Sequence, residues 1–244
     1  MVSVLCIKNP ITGIYRTLPF INGRWSSKLK CMARYGRDNF KVLVGMPLNT
    51  HSEHEEDRDR DREGVSFVKT VIYDSAIDSW RELINCCLHP LQNIRVVDTH
   101  GIYYRGAMYW LLEATQNLIV FWVRNESWEI LEMQKPQCAH PLGLVVCKEQ
   151  VLMSGEKDKV IIIWKLTNQN SLDQSHKKKG EWMEISRSTE EIFNQIQYGE
   201  MAIHSAFIPS VGDIVCFENF LNKTSVTFNV NTSSWGRSND IHVI

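Results

Sequence analysis

No apolar run in this sequence approaches the roughly 20 residues needed to cross a bilayer, so no membrane-spanning helix is expected. Neither sign of charge is in excess. Lys and Arg number 27 and Asp and Glu 28, for a formal net charge of −1, so no global field points to nucleic acid or to a lipid surface. The start lacks the charged, apolar, small-residue order of a signal peptide. The seven cysteines are odd in number and show no paired spacing. With no leader, they point to a reducing intracellular address, cytoplasmic and/or nuclear. The glycosylation tripeptides at Asn125, Asn222 and Asn231 would be idle there. There is no G-x-S-x-G elbow, no Cys/His pair in a recognisable setting, and no glycine loop for a phosphate. The adjacent Cys86 and Cys87 suit neither a tetrahedral metal site nor an ordinary disulfide. The expectation is therefore no enzyme, no catalytic residue, no metal and no cofactor.

What the sequence does have is a period. Tyr15, Trp80, Trp128, Trp182 and Trp235 each close a similar phrase, at intervals of 65, 48, 54 and 53 residues. The first interval contains a charged insertion at 51–64, and without those 14 residues it falls to 51. An interval of about 50 residues is that of a kelch-type propeller blade and is too long for a leucine-rich or tetratricopeptide repeat. The phrases at 7–15, 72–80 and 227–235 align without a gap, and the one at 121–128 is a residue shorter. Ile163-Trp164-Lys165-Leu166 opens a further copy, whose closing Trp182 is delayed by a polar stretch. In each, an apolar or β-branched run meets a cluster of Asn, Asp, Ser, Thr or Gly before the aromatic. That order predicts strand, tight turn, strand, with Asx and hydroxyl side chains satisfying the turn.

These phrases predict an all-β fold: a partial kelch-type β-propeller of about four complete four-stranded blades plus one incomplete blade. It forms a single domain over 1–244, with 51–64 as a flexible charged loop. Strands are expected near 2–7, 40–45, 65–73, 80–83, 101–106, 107–112, 118–123, 128–131, 142–147, 151–153, 160–166, 182–185, 202–209, 213–217 and 224–230. The stretch 22–30 reads as a polar loop, and 188–196 as a short helix joining two blades, with a capping residue and early acids. Cys6, Cys147 and Cys216 fall in apolar runs and read as small core residues. No closing strand follows Trp235, so the chain is expected to form part of a ring.

Periodic Trp80, Trp128, Trp182 and Trp235 read as packing between blades rather than as a sugar-stacking platform, because recurrence at blade spacing is a property of the core. Trp25 is left as a surface contact. The histidines and acids of 51–64 lack calcium-loop spacing and read as a solvated loop, as does the basic run at 176–179. Turns cluster at the two faces of such a scaffold and carry recognition. Arg34, Tyr35, Arg37, His100, Tyr104 and Arg105 occupy or adjoin turns. Being also ordinary surface residue types, they define no substrate-binding site by themselves.

Four phrases together resemble one family. Asn9-Pro10-Ile11-Thr12 with Arg16-Thr17-Leu18-Pro19, Val71-Ile72-Tyr73-Asp74-Ser75 with Asp78-Ser79-Trp80, Gly101-Ile102-Tyr103 with Gly106 and Tyr109-Trp110-Leu111, and Ile163-Trp164-Lys165-Leu166 with Glu181-Trp182 occur in the order found in plant F-box proteins with a kelch-like, F-box-associated propeller. The resemblance runs from about residue 5 to 235 and does not include an F-box. It implies a protein-recognition module, the substrate-binding part of an F-box subunit of a cullin-type (SCF) ubiquitin ligase. The implied partners are a protein substrate held by propeller loops and, if an F-box is supplied upstream, a Skp-type adaptor. The alternative is a stand-alone kelch-like scaffold with no ligase role.

Overall fold

The computed structural model describes residues 6–8, 15–19, 21, 29–35, 39–49, 66–88, 96, 101–113, 115–134, 140–167, 179–196, 210–219 and 224–237. The strands are β1 (Cys6–Lys8), β2 (Tyr15–Thr17), β3 (Leu29–Tyr35), β4 (Asn39–Asn49), β5 (Ser66–Asp74), β6 (Ser79–Leu88), β7 (Ile102–Tyr104), β8 (Ala107–Leu111) and β9 (Leu118–Trp122). They continue as β10 (Ser127–Gln134), β11 (His140–Cys147), β12 (Gln150–Lys157), β13 (Val160–Thr167), β14 (Lys179–Arg187), β15 (Ser210–Val211), β16 (Ile214–Asn219), β17 (Thr224–Asn229) and β18 (Ser234–Arg237). One helix, α1 (Glu190–Ile196), lies between β14 and β15. The fold is all-β.

Consecutive strands pair antiparallel in groups of four. The groups are β3–β6, β7–β10, β11–β14 and β15–β18, preceded by the two-stranded β1–β2. Each group is a meander that cannot bury two apolar faces alone, so the faces are buried against the neighbouring groups. The alternation along single strands shows this. Leu43 and Ile72 face the second sheet with Met108, Trp110, Ile119 and Phe121. Val42, Val44, Val71 and Tyr73 face the other way, under Leu18, Ile7 and Ile21. Tyr109, Leu111, Leu118 and Val120 meet Val151, Met153, Ile162 and Trp164 between the second and third sheets. Leu152, Ile161 and Ile163 meet Val215, Phe217, Val226 and Phe228 between the third and fourth. Strands buried on both faces read as continuous apolar runs, as in Ile161-Ile162-Ile163-Trp164.

The second and third groups are also joined edge to edge. β10 and β14 pair in parallel, Glu132 with Lys179 through Gln134 with Glu181, to make one eight-stranded sheet. That sheet folds back so that β7 and β11, its two ends, lie side by side in a nearly closed, barrel-like arrangement around the cluster between them. Gly180 lies against Met133 of the neighbouring edge, and a Cβ there would displace the end of that flexible side chain. Close approach requires Gly101, because a Cβ there would meet the rigid, buried Trp110 indole at 2.4 Å.

Two details depart from the sequence expectation. β3 takes in Leu29 and Lys30, which had been assigned to a loop, and buries Leu29, Cys31 and Ala33. Cys6 is exposed on β1 rather than in the core, because its sheet has only two strands, whereas Cys147 is buried and Cys216 half-buried. The expected strand at 202–209 and Trp25 lie outside the described residues, as do 51–64 and 176–178. The helix forms where expected: the backbone N–H of Ile192 donates to Thr189 Oγ1 at 3.3 Å, and Phe193 and Ile196 fill the junction between the third and fourth sheets. Among the described residues no helix is long and apolar enough to cross a membrane; this says nothing of strands.

Candidate recognition surface at the turn end

Alternating strand direction sorts the connections onto two ends. The first-to-second and third-to-fourth strand connections of every sheet leave from one end, here the turn end. The second-to-third connections and those between sheets leave from the other, the connection end. At the turn end the repeated phrase has one backbone form. Asp78 (φ 49), Glu126 (φ 52) and Ser233 (φ 52) stand immediately before Ser79-Trp80, Ser127-Trp128 and Ser234-Trp235. Asp74 Oδ1 accepts from the N–H of Ala76 at 3.0 Å, and Asn229 Oδ1 from that of Asn231 at 2.9 Å. These are the Asx turns that the phrase predicts.

The aromatic that ends each phrase then reaches back to the preceding group. Trp80 Nε1 donates to the Pro19 carbonyl at 2.7 Å, and Trp128 Nε1 to Thr70 Oγ1 at 3.1 Å. Trp182 Nε1 lies 3.5 Å from the Gln116 carbonyl, and Trp235 Nε1 donates to Ser186 Oγ at 3.0 Å. In each case the acceptor for the indole N–H comes from the preceding part of the chain's stack. Tyr15, the first of the series, is 70% exposed.

Polar links tie each junction at the turn end. Arg16 pairs with Asp78 at 2.8 Å, and Tyr73 also donates its hydroxyl to Asp78. Between the first and second sheets, Glu126 receives Lys41 at 3.2 Å and Arg81 on the same oxygen. Tyr35 donates to Asp74, and Lys41 Nζ stands 5.4 Å from the centre of the Tyr35 ring. Tyr104 reaches across the second junction to donate to the Glu149 carbonyl. Lys148 spans the third, 3.4 Å from Asp213 and within hydrogen-bond reach of Asn231.

These contacts set the ionisation of the surface. The Arg81 guanidinium, then Lys41, holds the Glu126 carboxyl below its ordinary range against the cost of its partial burial. The hydrogen bond from Tyr73, then Arg16, does the same for Asp78. For Asp74, partial burial pushes up but is outweighed by the Tyr35 hydroxyl, the Ala76 N–H and the nearby cations. The same bond pushes the Tyr35 phenol up to about 12. Burial pushes the Cys31 thiol up to about 12, which keeps it a neutral core group near pH 7. Among the described residues no group of three or more His, Cys, Asp or Glu is placed to hold a metal ion.

Of the residues that adjoin turns, Arg34, Tyr35, Tyr104 and Arg105 all come to the turn end of adjacent sheets, while Arg37 and His100 lie outside the described residues. Tyr104 is buried, and Arg105 (φ 44) is exposed, its guanidinium 5.1 Å from the centre of the Tyr104 ring. Sequence reasoning missed Lys41, Arg81 and Glu126. Lys41 and Glu126 are 85 positions apart, and only the period, which aligns Asp78 with Glu126, hinted that the turns would meet.

Among solved structures the chain is similar to the structure of U3-55K, at 10% identity and a TM-score of 0.43, over 93% of this chain and 56% of that one. It spans little more than half the length of that chain. No family model matches the sequence, and no curated protein matches it.

Proposed function

We propose that the four meanders are blades of a partial kelch-type β-propeller, about four complete and one incomplete. The chain works as a protein-recognition module, the substrate-binding part of an F-box subunit of a cullin-type ubiquitin ligase. The observation that carries this reading is the division of labour in the stack. The inner sheets spend their apolar faces on one another, and their aromatic anchors point back into the preceding sheet. What is left for a partner is the turn surface, where Arg34, Arg105 and Arg124 are exposed and Tyr35 and Tyr104 pack beside the hairpins. Arg and Tyr on a fixed backbone are the residue types that dominate protein–protein hot spots. The phrases in family order supply the ligase context.

Adaptor binding tests it. In a titration against a Skp-type adaptor, the 244-residue chain alone should be silent, and the same chain placed behind an F-box module should bind and bring in the cullin. In cells the fused chain should shorten the half-life of the proteins it holds. Unchanged half-lives would favour the stand-alone scaffold, and adaptor binding by the bare chain would overturn the assignment of roles.

A further inference from the structure

Resting on that reading, the surface also indicates the chemistry of the partner. The β7–β8 turn, with Arg105 and Gly106, and the β9–β10 turn, with Arg124, are clasped together by the N–H of Val123 on the Gly106 carbonyl at 3.0 Å. Two exposed guanidinium groups therefore stand on neighbouring hairpins of the second sheet. Arg105 is oriented by the ring of Tyr104, whose own hydroxyl is held by the Glu149 carbonyl. Arg124 has no hydrogen bond or ion pair among the described residues.

The acids nearby are otherwise engaged. Glu126 carries Lys41 and Arg81. Asp74 accepts from Tyr35, and Glu129 from Trp122 Nε1 at 2.8 Å. Asp213 faces Lys148. Glu149, exposed on the next turn, where its carbonyl holds the Tyr104 hydroxyl, has a side chain not committed in this way among the described residues. Each guanidinium thus retains a planar fork of donors that matches a carboxylate.

We propose that Arg105 and Arg124 form a docking site for an acidic peptide segment of a partner protein, with carboxylates received on the two guanidinium forks and Glu149 acting as a local filter that weakens the binding of anions. The site sits on hairpins fixed at both ends, so little ordering is needed to form it.

The test uses the full chain and fluorescein-labelled hexaglutamate at low salt. Binding should be measurable, weaken as salt rises, and weaken about tenfold in Arg105→Ala/Arg124→Ala. Glu149→Gln should strengthen it about two- to threefold. Both side chains of the pair are exposed, so the melting temperature of the double variant should match the parent, which separates lost binding from lost fold. No binding of hexaglutamate, an unchanged affinity in the double variant, or a weakening in Glu149→Gln would overturn the proposal. Tighter binding of a single-stranded RNA of equal charge would reassign the site away from peptides. The two proposals fail separately. If the F-box fusion still recruits adaptor and shortens half-lives while hexaglutamate is ignored, only this site falls. If the peptide binds and the adaptor does not, only the ligase role falls.

Discussion

The two ends of the stack are built from the same strands and joined in different ways. At the turn end, charged groups bridge successive sheets, and the pairs at the first full junction are partly buried: side-chain exposure is 17% and 24% for Lys41 and Glu126. At the connection end, the ion pairs run from α1 to neighbouring strands and are open to water, 68% and 60% for Lys159 and Glu190. The same Coulomb attraction is worth more where solvent is thinned and the partners are already fixed, and little where two long side chains must be ordered in water. The turn end ties the sheets through charge, whereas elsewhere they are tied through backbone, by the Gly101 N–H on the Lys30 carbonyl at 2.6 Å and by the β10–β14 pairing.

The largest effect should come from cutting the aromatic tie across a junction. Trp128 packs on Trp110 and Phe121 with ring centres 5.4 and 5.0 Å away and donates to Thr70. Trp128→Ala should cost about 3–5 kcal/mol in denaturant unfolding. Its counterpart in the phrase, Tyr15, is exposed. Tyr15→Ala should change stability by no more than about 0.5 kcal/mol. Equal losses would mean that the period marks something other than packing on the preceding sheet.

Next comes the ion cluster. Glu126→Gln should cost about 1–2 kcal/mol at neutral pH. Because its folded carboxyl lies below the ordinary range, Glu126 contributes stability above the unfolded pKa of about 4.3. That contribution should fade as the pH drops from there through the lower folded value. Urea midpoints of parent and variant should therefore differ at pH 6 and draw together as the pH falls below the ordinary carboxylate range.

Tyr35 works in the opposite direction. Its phenol is raised to about 12, so its bond to Asp74 contributes below an unfolded value of about 10 and is lost as the pH rises toward 12. Tyr35→Phe should be less stable than the parent at neutral pH and converge with it as the pH rises toward 12, and the acid limb should also move, because Asp74 loses a donor that favours its ionised form. At the connection end, Thr189→Ala should cost about 1 kcal/mol through the helix cap. Lys159→Ala should cost at most about 0.5 kcal/mol.

The hairpin phrase was legible in the sequence because everything it needs is local: an Asx residue to close the turn, a residue tolerating positive φ, and the aromatic after Ser79, Ser127 or Ser234. The inward role of the tryptophans was legible from their spacing. Their acceptors were not, because Thr70, Ser186 and the carbonyls of Pro19 and Gln116 share no residue type. β3 escaped notice since its buried side chains, Leu29, Cys31 and Ala33, are mostly small and follow a polar stretch. Arg105 and the tyrosines could be flagged as turn residues. That Arg81 and Lys41 converge on Glu126 depends on how two sheets stack, which no local pattern encodes.

The most direct measurement is a pair of double-mutant cycles, Arg81→Ala with Glu126→Ala at the turn end and Lys159→Ala with Glu190→Ala at the connection end, read by denaturant unfolding at low salt. A turn end that ties the sheets through charge predicts a coupling above about 1 kcal/mol for the first pair and below about 0.5 kcal/mol for the second. Equal couplings, or a larger one at Lys159 and Glu190, would contradict it.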